Sequence, residues 1–193
     1  MEVGAGGIDM KKLVLTSAGF DNKNIEVKFL DLVNIPKQKI KVLFIPTAAI
    51  TEEQKAFIPL CKEDLLSAGI LEKNIKTYDL DRIISSEELC LFNAIYVCGG
   101  TTEYLLKKIN EVKFHKPLKD FLEDGGVYVG VSAGSIIMAG NLPNNLSYIN
   151  CKLGVHCNAG SNPGQIDTTN CPDIKLTDDQ AIIIMDDDIS IIE

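Results

Sequence analysis

A chain of 193 residues, 46% hydrophobic and 24% charged, has ordinary globular chemistry and is long enough to bury roughly 70% of its unfolded surface in one domain. Nineteen basic against 27 acidic side chains leave a net charge of −8. Such a surface repels phosphate backbones and anionic lipid, which argues against nucleic-acid and membrane partners.

No run of 18 apolar residues offers a membrane span. The opening MEVGAGGIDM lacks the basic and apolar regions of a secretory signal. Residues 1–9 read as a leader or artificial tail, and residues 10–193 as a single α/β domain that begins at Met10. Six cysteines (Cys61, Cys90, Cys98, Cys151, Cys157 and Cys171) form no CxxC pair. Several lie in apolar runs, so the chain reads as a reduced, cytoplasmic protein.

In chain order, Lys11–Gly19 (KKLVLTSAG) is an apolar run stopped by a turn, and is predicted as a buried strand. Lys41–Ala49 (KVLFIPTAA) is predicted as a second, ended by Pro46. Thr51 with Glu53 and Gln54 predicts a helix start. Apolar residues at Phe57, Leu60, Cys61, Leu65, Leu66 and Ala68 continue that helix to a glycine stop at Gly69. Asn74–Leu80 alternates as a strand does, and Asn93–Gly100 (NAIYVCGG) is a fourth strand. Thr101–Asn110 begins on a capping hydroxyl and carries Leu105, Leu106 and Ile109 on one face. Lys116–Gly126 is a further helix, Val127–Val131 a fifth strand, and AGSIIMAG opens another helix. Residues 141–177 loosen into Pro, Asn, Gly and Thr, read as long functional loops. The terminal DQAIIIMDDDISIIE predicts a hairpin whose acidic tip is a solvated turn. Strands alternating with helices give βαβ units and a mostly parallel sheet, with ligands at the carboxyl ends of the strands. Thr47, Gly99, Gly100 and Ser132 all fall there.

The chemistry concentrates at GGVYVGVSAGSIIMAG. Gly130-Val131-Ser132-Ala133-Gly134 is a G-x-S-x-G pentapeptide between a predicted strand and a predicted helix, the context of a nucleophile elbow. A sharp strand-to-helix turn pushes the serine hydroxyl outward, and the glycines remove side chains that would clash in the bend. A plain strand–turn–helix corner is the competing reading. A serine needs a base, and the chain holds two histidines. His115, ahead of an amphipathic helix, reads as surface or structural. His156, in LGVHCNAG downstream of the serine, is the candidate base. Asp167, Asp173, Asp178 and Asp179 are candidates to orient it. Asp178 is favoured because it stands just before an apolar strand that can hold it in place. The order Ser, His, Asp differs from that of α/β-hydrolases. Gly99 and Gly100, at a strand end ahead of a helix, are candidate oxyanion donors beside Ala133.

These residues carry a resemblance. YVCGGTTEYLLKKI, GGVYVGVSAGSI, LGVHCNAG and TDDQAIII, with the opening MKKLVLTSAGF and VLFIPTAA, resemble the aspartyl dipeptidase (dipeptidase E) family of serine peptidases. The likeness runs over nearly the whole chain from Met10. It implies a three-layer α/β sandwich around a mostly parallel sheet, the flavodoxin-like fold of class I glutamine amidotransferase domains. That family carries a cysteine at the elbow, where this chain has Ser132. The resemblance implies Ser132 as nucleophile, His156 as base, Gly99 or Gly100 as the oxyanion glycine and an acidic residue at Asp178. It implies a small peptide as substrate; no cofactor and no metal are expected.

The chain departs from the family in VHC for a PHY-like setting, and in NLPNNLSY where some dipeptidases carry a DMP-like acidic segment. The family's preference for an N-terminal Asp calls for a cationic partner. Arg82, the one arginine, lies far along the chain from the elbow, and Lys152 is the lysine nearest His156 in sequence. A non-catalytic amidotransferase-like module binding a metabolite or partner is the alternative function. A metal site from Cys151, His156, Cys157 and Cys171 fits no common zinc spacing. A homodimer is the default oligomer.

Overall fold

The computed structural model describes residues 11–193; the leader at 1–9 and the start at Met10 lie outside them. One eight-stranded sheet runs through the described residues. Its parallel part is built from β1 (Lys12–Thr16), β2 (Val42–Ile45), β3 (Ile75–Thr77), β4 (Ala94–Val97) and β5 (Val127–Val131), in the order β3-β2-β4-β5-β1. Beyond β1 the sheet turns antiparallel. Strand β9 (Ala181–Met185) pairs with β1 and with β10 (Asp188–Ile192), and the short β7 (Gly164–Gln165) closes the edge. The predicted terminal hairpin is therefore present, and its tip at Asp186 binds back to Lys11 through both backbone and carboxylate.

Strand residues alternate between two cores, as a pleat of period two requires. Leu13, Leu15, Leu43, Ile45, Ile95 and Tyr128 join one core. It is covered by α4 (Ser86–Leu89), α5 (Thr102–Glu111) and α6 (His115–Glu123). Val14, Val42, Phe44, Tyr96, Val127 and Val129 join the other, under α1 (Lys23–Val33) and α3 (Ile58–Ser67). Helices on both faces of the sheet make the three-layer α/β sandwich expected. The two largest buried side chains, Tyr96 and Tyr128, each keep a partner for the hydroxyl: Asp64 Oδ2 at 2.5 Å and the Gly134 carbonyl at 2.7 Å. Satisfying those hydroxyls lets the rings contribute their full burial, about 1.5–3 kcal/mol for a large apolar side chain.

Three local features differ from the sequence expectation. Helix α1 occupies a stretch between the first two predicted strands for which the sequence pattern predicts no element. Asn22 caps it by accepting from the Asn24 N–H at 2.9 Å, and Ile25, Phe29 and Leu32 form its buried stripe. The helix expected from residue 51 to Gly69 is two helices, α2 (Glu52–Lys55) and α3. Thr51 and Gln54 do form the capping box that starts α2. Pro59 then sits in the first turn of α3, where its missing N–H costs nothing, so a fresh helix begins there. The break turns Phe57 and Leu60 outward, 59% and 60% exposed, instead of into the core. Thr101 precedes α5 but gives it no side-chain cap; its hydroxyl bonds the Gln54 amide at 3.1 Å, tying α2 to the turn after β4. Residues 141–177 are largely loop. They hold one small parallel pair, β6 (Lys152–Gly154) and β8 (Asp173–Lys175), besides β7.

Candidate active site

The corner after β5 is strained. Ser132 has φ 48° and ψ −105°, a region in which a non-glycine residue costs on the order of 1–3 kcal/mol. The surroundings hold it there. The Ser132 N–H donates to the Thr16 carbonyl at 3.0 Å. The buried Ser135 hydroxyl lies 2.7 and 2.8 Å from the Thr16 and Gly130 carbonyls, sharing its proton between them. The short helix α7 (Ala133–Ile136) follows at once. The two elbow glycines are required by close approach. A Cβ on Gly130 would stand 2.5 Å from the Gly134 carbonyl oxygen, and one on Gly134 would stand 2.6 Å from that of Val97.

His156 lies in the loop after β6, itself at a positive φ of 55°. Its Nε2 is 3.2 Å from Ser132 Oγ, and its Nδ1 is 2.7 Å from Asp178 Oδ1. Of the four candidate aspartates the structure brings Asp178 to the imidazole. Asp167 accepts from the Thr169 N–H, Asp173 lies on β8, and no side-chain partner is recorded for Asp179 among the described residues. His115 is bonded at the surface to Asn110.

A residue that the sequence reading passed over completes the group. Ser17, fully buried just past β1, donates to Asp178 Oδ1 at 2.8 Å and accepts from the His156 backbone N–H at 2.7 Å. One hydroxyl thus fixes both the carboxylate and the loop that carries the imidazole. Burial alone would push the Asp178 carboxyl up. The hydrogen bonds from Ser17 and His156, with the charge of the imidazole, outweigh that and hold it below the ordinary carboxylate range. Both side chains are about half exposed, 53% for His156 and 56% for Asp178, and so are open to solvent.

Gly99 and Gly100 follow β4 beside the elbow. A Cβ on Gly99 would lie 3.1 Å from Ser132 Cβ, so bare backbone faces the serine there. Gly100 has φ 143°, and a Cβ on it would meet the Ala48 carbonyl oxygen at 2.1 Å. Among the described residues, no acceptor is paired with the Gly100 or Ala133 N–H.

Ser132, His156, Asp178, Gly99 and Gly100 line one cavity of about 450 Å³, whose other walls include Ser17 and, from α3 and the turn before it, Phe57, Leu60 and Asp64. Arg82 is not among its walls; it pairs with Glu88 and stacks on Tyr78. Lys152, on β6, is not among them either. Thr47 is turned to Asp79, at 2.8 Å. Among the described residues no group of three or more His, Cys, Asp or Glu side chains is placed to hold a metal ion, and no helix is long and apolar enough to cross a membrane.

Asp64 of α3 is the carboxyl most perturbed in the cavity. Burial raises it to about 6, against hydrogen bonds from the Tyr96 hydroxyl and the Phe20 N–H that favour its ionised form. A carboxyl whose folded value lies above its unfolded one binds its proton more tightly when folded, so stability falls as pH rises between the two values. Asp64→Asn is therefore expected to raise the thermal midpoint at about pH 7, with the gain fading towards about pH 3.5, where the native carboxyl is protonated. Calorimetry at the two pH values checks this. A gain that is equal at both, or absent at the higher, contradicts it.

Known proteins resemble this chain. The model of Peptidase family S51 matches residues 13–148, a stretch that holds the elbow and stops short of His156. The uncharacterized peptidase PM1590 of Pasteurella multocida (strain Pm70) is 33% identical over 135 residues, covering 69% of this chain and 62% of that protein. The uncharacterized peptidase Lmo0363 of Listeria monocytogenes (serovar 1/2a, strain ATCC BAA-679 / EGD-e) is also 33% identical over 135 residues, covering 69% and 63%. The match thus spans less than two thirds of the length of these curated relatives.

Among solved structures, a protein of Listeria monocytogenes EGD-e described provisionally as a peptidase E superposes with TM-score 0.72 at 24% identity, over 95% of this chain and 98% of that one. A peptidase from an acI-B1 Actinobacterium gives TM-score 0.67 at 16% identity, over 96% and 88%. At those identities the structures speak to the fold alone, and it is the fold expected. The family model, extending over most of the strands that build the parallel sheet and over the corner that carries Ser132, places this chain in peptidase family S51.

Proposed function

We propose that the protein is a serine peptidase of the dipeptidase E type, which hydrolyses a short peptide or small amide with Ser132 as nucleophile and His156 as general base and acid. The observation that carries this reading is the 3.2 Å approach of Ser132 Oγ to His156 Nε2, with the other ring nitrogen 2.7 Å from Asp178. With the Nδ1 proton donated to Asp178, Nε2 is left as an acceptor for the serine proton. Ser132 Oγ bonds to the substrate carbonyl carbon while its proton moves to His156 Nε2. The carbonyl oxygen becomes an oxyanion, received by the open N–H groups of Ala133 and Gly100. Gly99 leaves room beside the serine, since a side chain there would crowd Ser132 Cβ at 3.1 Å. The protonated imidazole then gives its proton to the leaving amine as the C–N bond breaks. Water, deprotonated by the same nitrogen, releases the acyl group and restores Ser132. Asp178 holds the ring and stabilises its charged form, and Ser17 holds Asp178.

The test is covalent labelling by an alkyl fluorophosphonate, read by intact mass. One adduct on the wild type, absent from Ser132→Ala, supports the peptidase. An unlabelled wild type points to a non-catalytic module that keeps the elbow only as scaffold.

The positioning role of Ser17 has its own consequence. Ser17→Ala removes a hydrogen bond to a charged carboxylate, worth about 1.5–3 kcal/mol. It is expected to lower kcat by roughly ten- to a hundred-fold while KM changes by less than about two-fold. A loss carried wholly by KM would instead place Ser17 in substrate binding.

A further inference from the structure

The wall chemistry of the cavity determines what kind of substrate it accepts. Its described walls hold no lysine and no arginine. They hold the carboxylates Asp21 and Asp64, besides Asp178, which is bound to His156 and Ser17. The remaining walls near α3 are apolar: Phe57, Ile58 and Leu60. The geometry of Asp64 separates its two oxygens. Oδ2 accepts from the Tyr96 hydroxyl at 2.5 Å and from the Phe20 N–H at 3.0 Å, which anchors the carboxylate to β4 and to the turn after β1. Oδ1 has no partner within the described protein, yet it is not among the buried atoms left without one. It therefore keeps some exposure, and its residue lines the same cavity that holds Ser132. A carboxylate fixed through one oxygen and free at the other is a preformed acceptor for a cation, because its position is set before the ligand arrives.

Resting on the peptidase reading above, we propose that Asp64 is a specificity-determining residue that receives a primary ammonium group of the substrate on Oδ1, with the exposed Asp21 adding attraction at the rim. An acidic side chain would meet two carboxylates and no cation in this cavity. The preference for an N-terminal aspartate implied by the family resemblance is therefore opposed by this chain's own walls. The ammonium has two sources in a peptide, a free α-amino group or a lysine-type side chain, and the chemistry at Oδ1 is the same for both. Lysine stems also suit the site, since the apolar walls of Ile58 and Leu60 can pack against methylenes.

The experiment measures the rate at which Ser132 is phosphonylated, followed by intact mass. The probes are diphenyl phosphonate analogues of lysine, alanine and aspartate, each with a free and with an acetylated α-amine, beside a neutral alkyl fluorophosphonate. In each diphenyl probe the serine oxygen displaces phenol from phosphorus.

If the side chain supplies the ammonium, the acetylated lysine analogue reacts at least about ten-fold faster than the acetylated alanine analogue. If the α-amine supplies it, the free alanine analogue exceeds its acetylated form by the same factor. Either result supports the proposal, and in Asp64→Asn the corresponding ratio falls towards one. Should Asp64→Asn fail to fold, Asp21→Asn, altered at an exposed position, is expected to reduce the ratio by a few-fold. The wild-type ratios decide the matter without either variant. Ammonium-bearing probes no faster than their neutral counterparts, in the side-chain and in the α-amine comparison alike, overturn the proposal while fluorophosphonate labelling keeps the nucleophile. No labelling by the fluorophosphonate overturns the nucleophile assignment and this proposal with it.

Discussion

Ser132→Ala and His156→Ala are each expected to lower kcat by a factor on the order of 10⁴ to 10⁶, and the double variant by no more than the worse single one. The reason is that in the proposed mechanism the two side chains act in one step. Without the base, the hydroxyl is a poor nucleophile; without the hydroxyl, the base has nothing to activate. What survives in all three variants is catalysis by the oxyanion donors and by binding. The double-variant cycle therefore reads out the 3.2 Å contact between Oγ and Nε2 more directly than either single change does. Additive losses would mean that the residues act separately, and the assigned proton transfer would fall. The same variants should remain folded. His156 is half exposed and Ser132 stands in a strained conformation, so removing either side chain empties no core volume. Unchanged or raised thermal midpoints beside collapsed turnover would separate a chemical loss from a structural one.

How much of this was legible beforehand depends on whether the signal was local in the chain. The elbow was legible because its causes lie within five residues. An apolar run ends, a serine follows and glycines flank it; a Cβ on Gly130 would strike Gly134 within the same pentapeptide, whereas the clash of a Gly134 Cβ with Val97 of β4 shows only in the fold. His156 was reachable by elimination between two histidines. The parallel sheet was legible from apolar runs spaced by helical patterns, and the hairpin of β9 and β10 from two such runs around an acidic tip. Ser17 was not legible. In LTSAGF it looks like any turn serine, and its role comes from the pairing of strands distant in sequence. Thr16 is registered against Val131 on one side and against Ala181 on the other. The next residue is thereby delivered between the elbow and the segment just before β9 that carries Asp178. The same limit explains Phe57 and Leu60. Helical spacing alone placed them on the buried face, while Pro59 restarted the helix and turned them out to the mouth of the cavity. Thr101 looked like a cap because its own segment is all that sequence periodicity sees; its partner, Gln54, comes from another helix.

That dependence on register shapes the second large effect. Asp178→Asn is expected to lower kcat by about 10³- to 10⁴-fold, and Asp179→Asn by less than about three-fold. The two residues are adjacent, of one chemistry and near one surface, so general electrostatics would treat them alike. Their hydrogen bonds do not. Asp178 Oδ1 takes the Nδ1 proton of His156 and the proton of Ser17. Asp179 is held through its backbone carbonyl, by the Asn22 amide at 3.0 Å, so its carboxylate carries no position-specific task. An asparagine at 178 that turns its amide nitrogen to the ring would favour the opposite tautomer. Nε2 would then carry the proton and could not accept the one from Ser132. The native carboxyl lies below the ordinary range because hydrogen bonds to Ser17 and His156 outweigh the opposing effect of burial. It thus stays ionised down to lower pH than a free aspartate, and the loss in the variant should be present across the neutral range. Comparable losses at 178 and 179 would reduce the carboxylates to a shared field. A larger loss at 179 would move the orienting role one residue along the chain, and would require the loop before β9 to shift its register against Ser17.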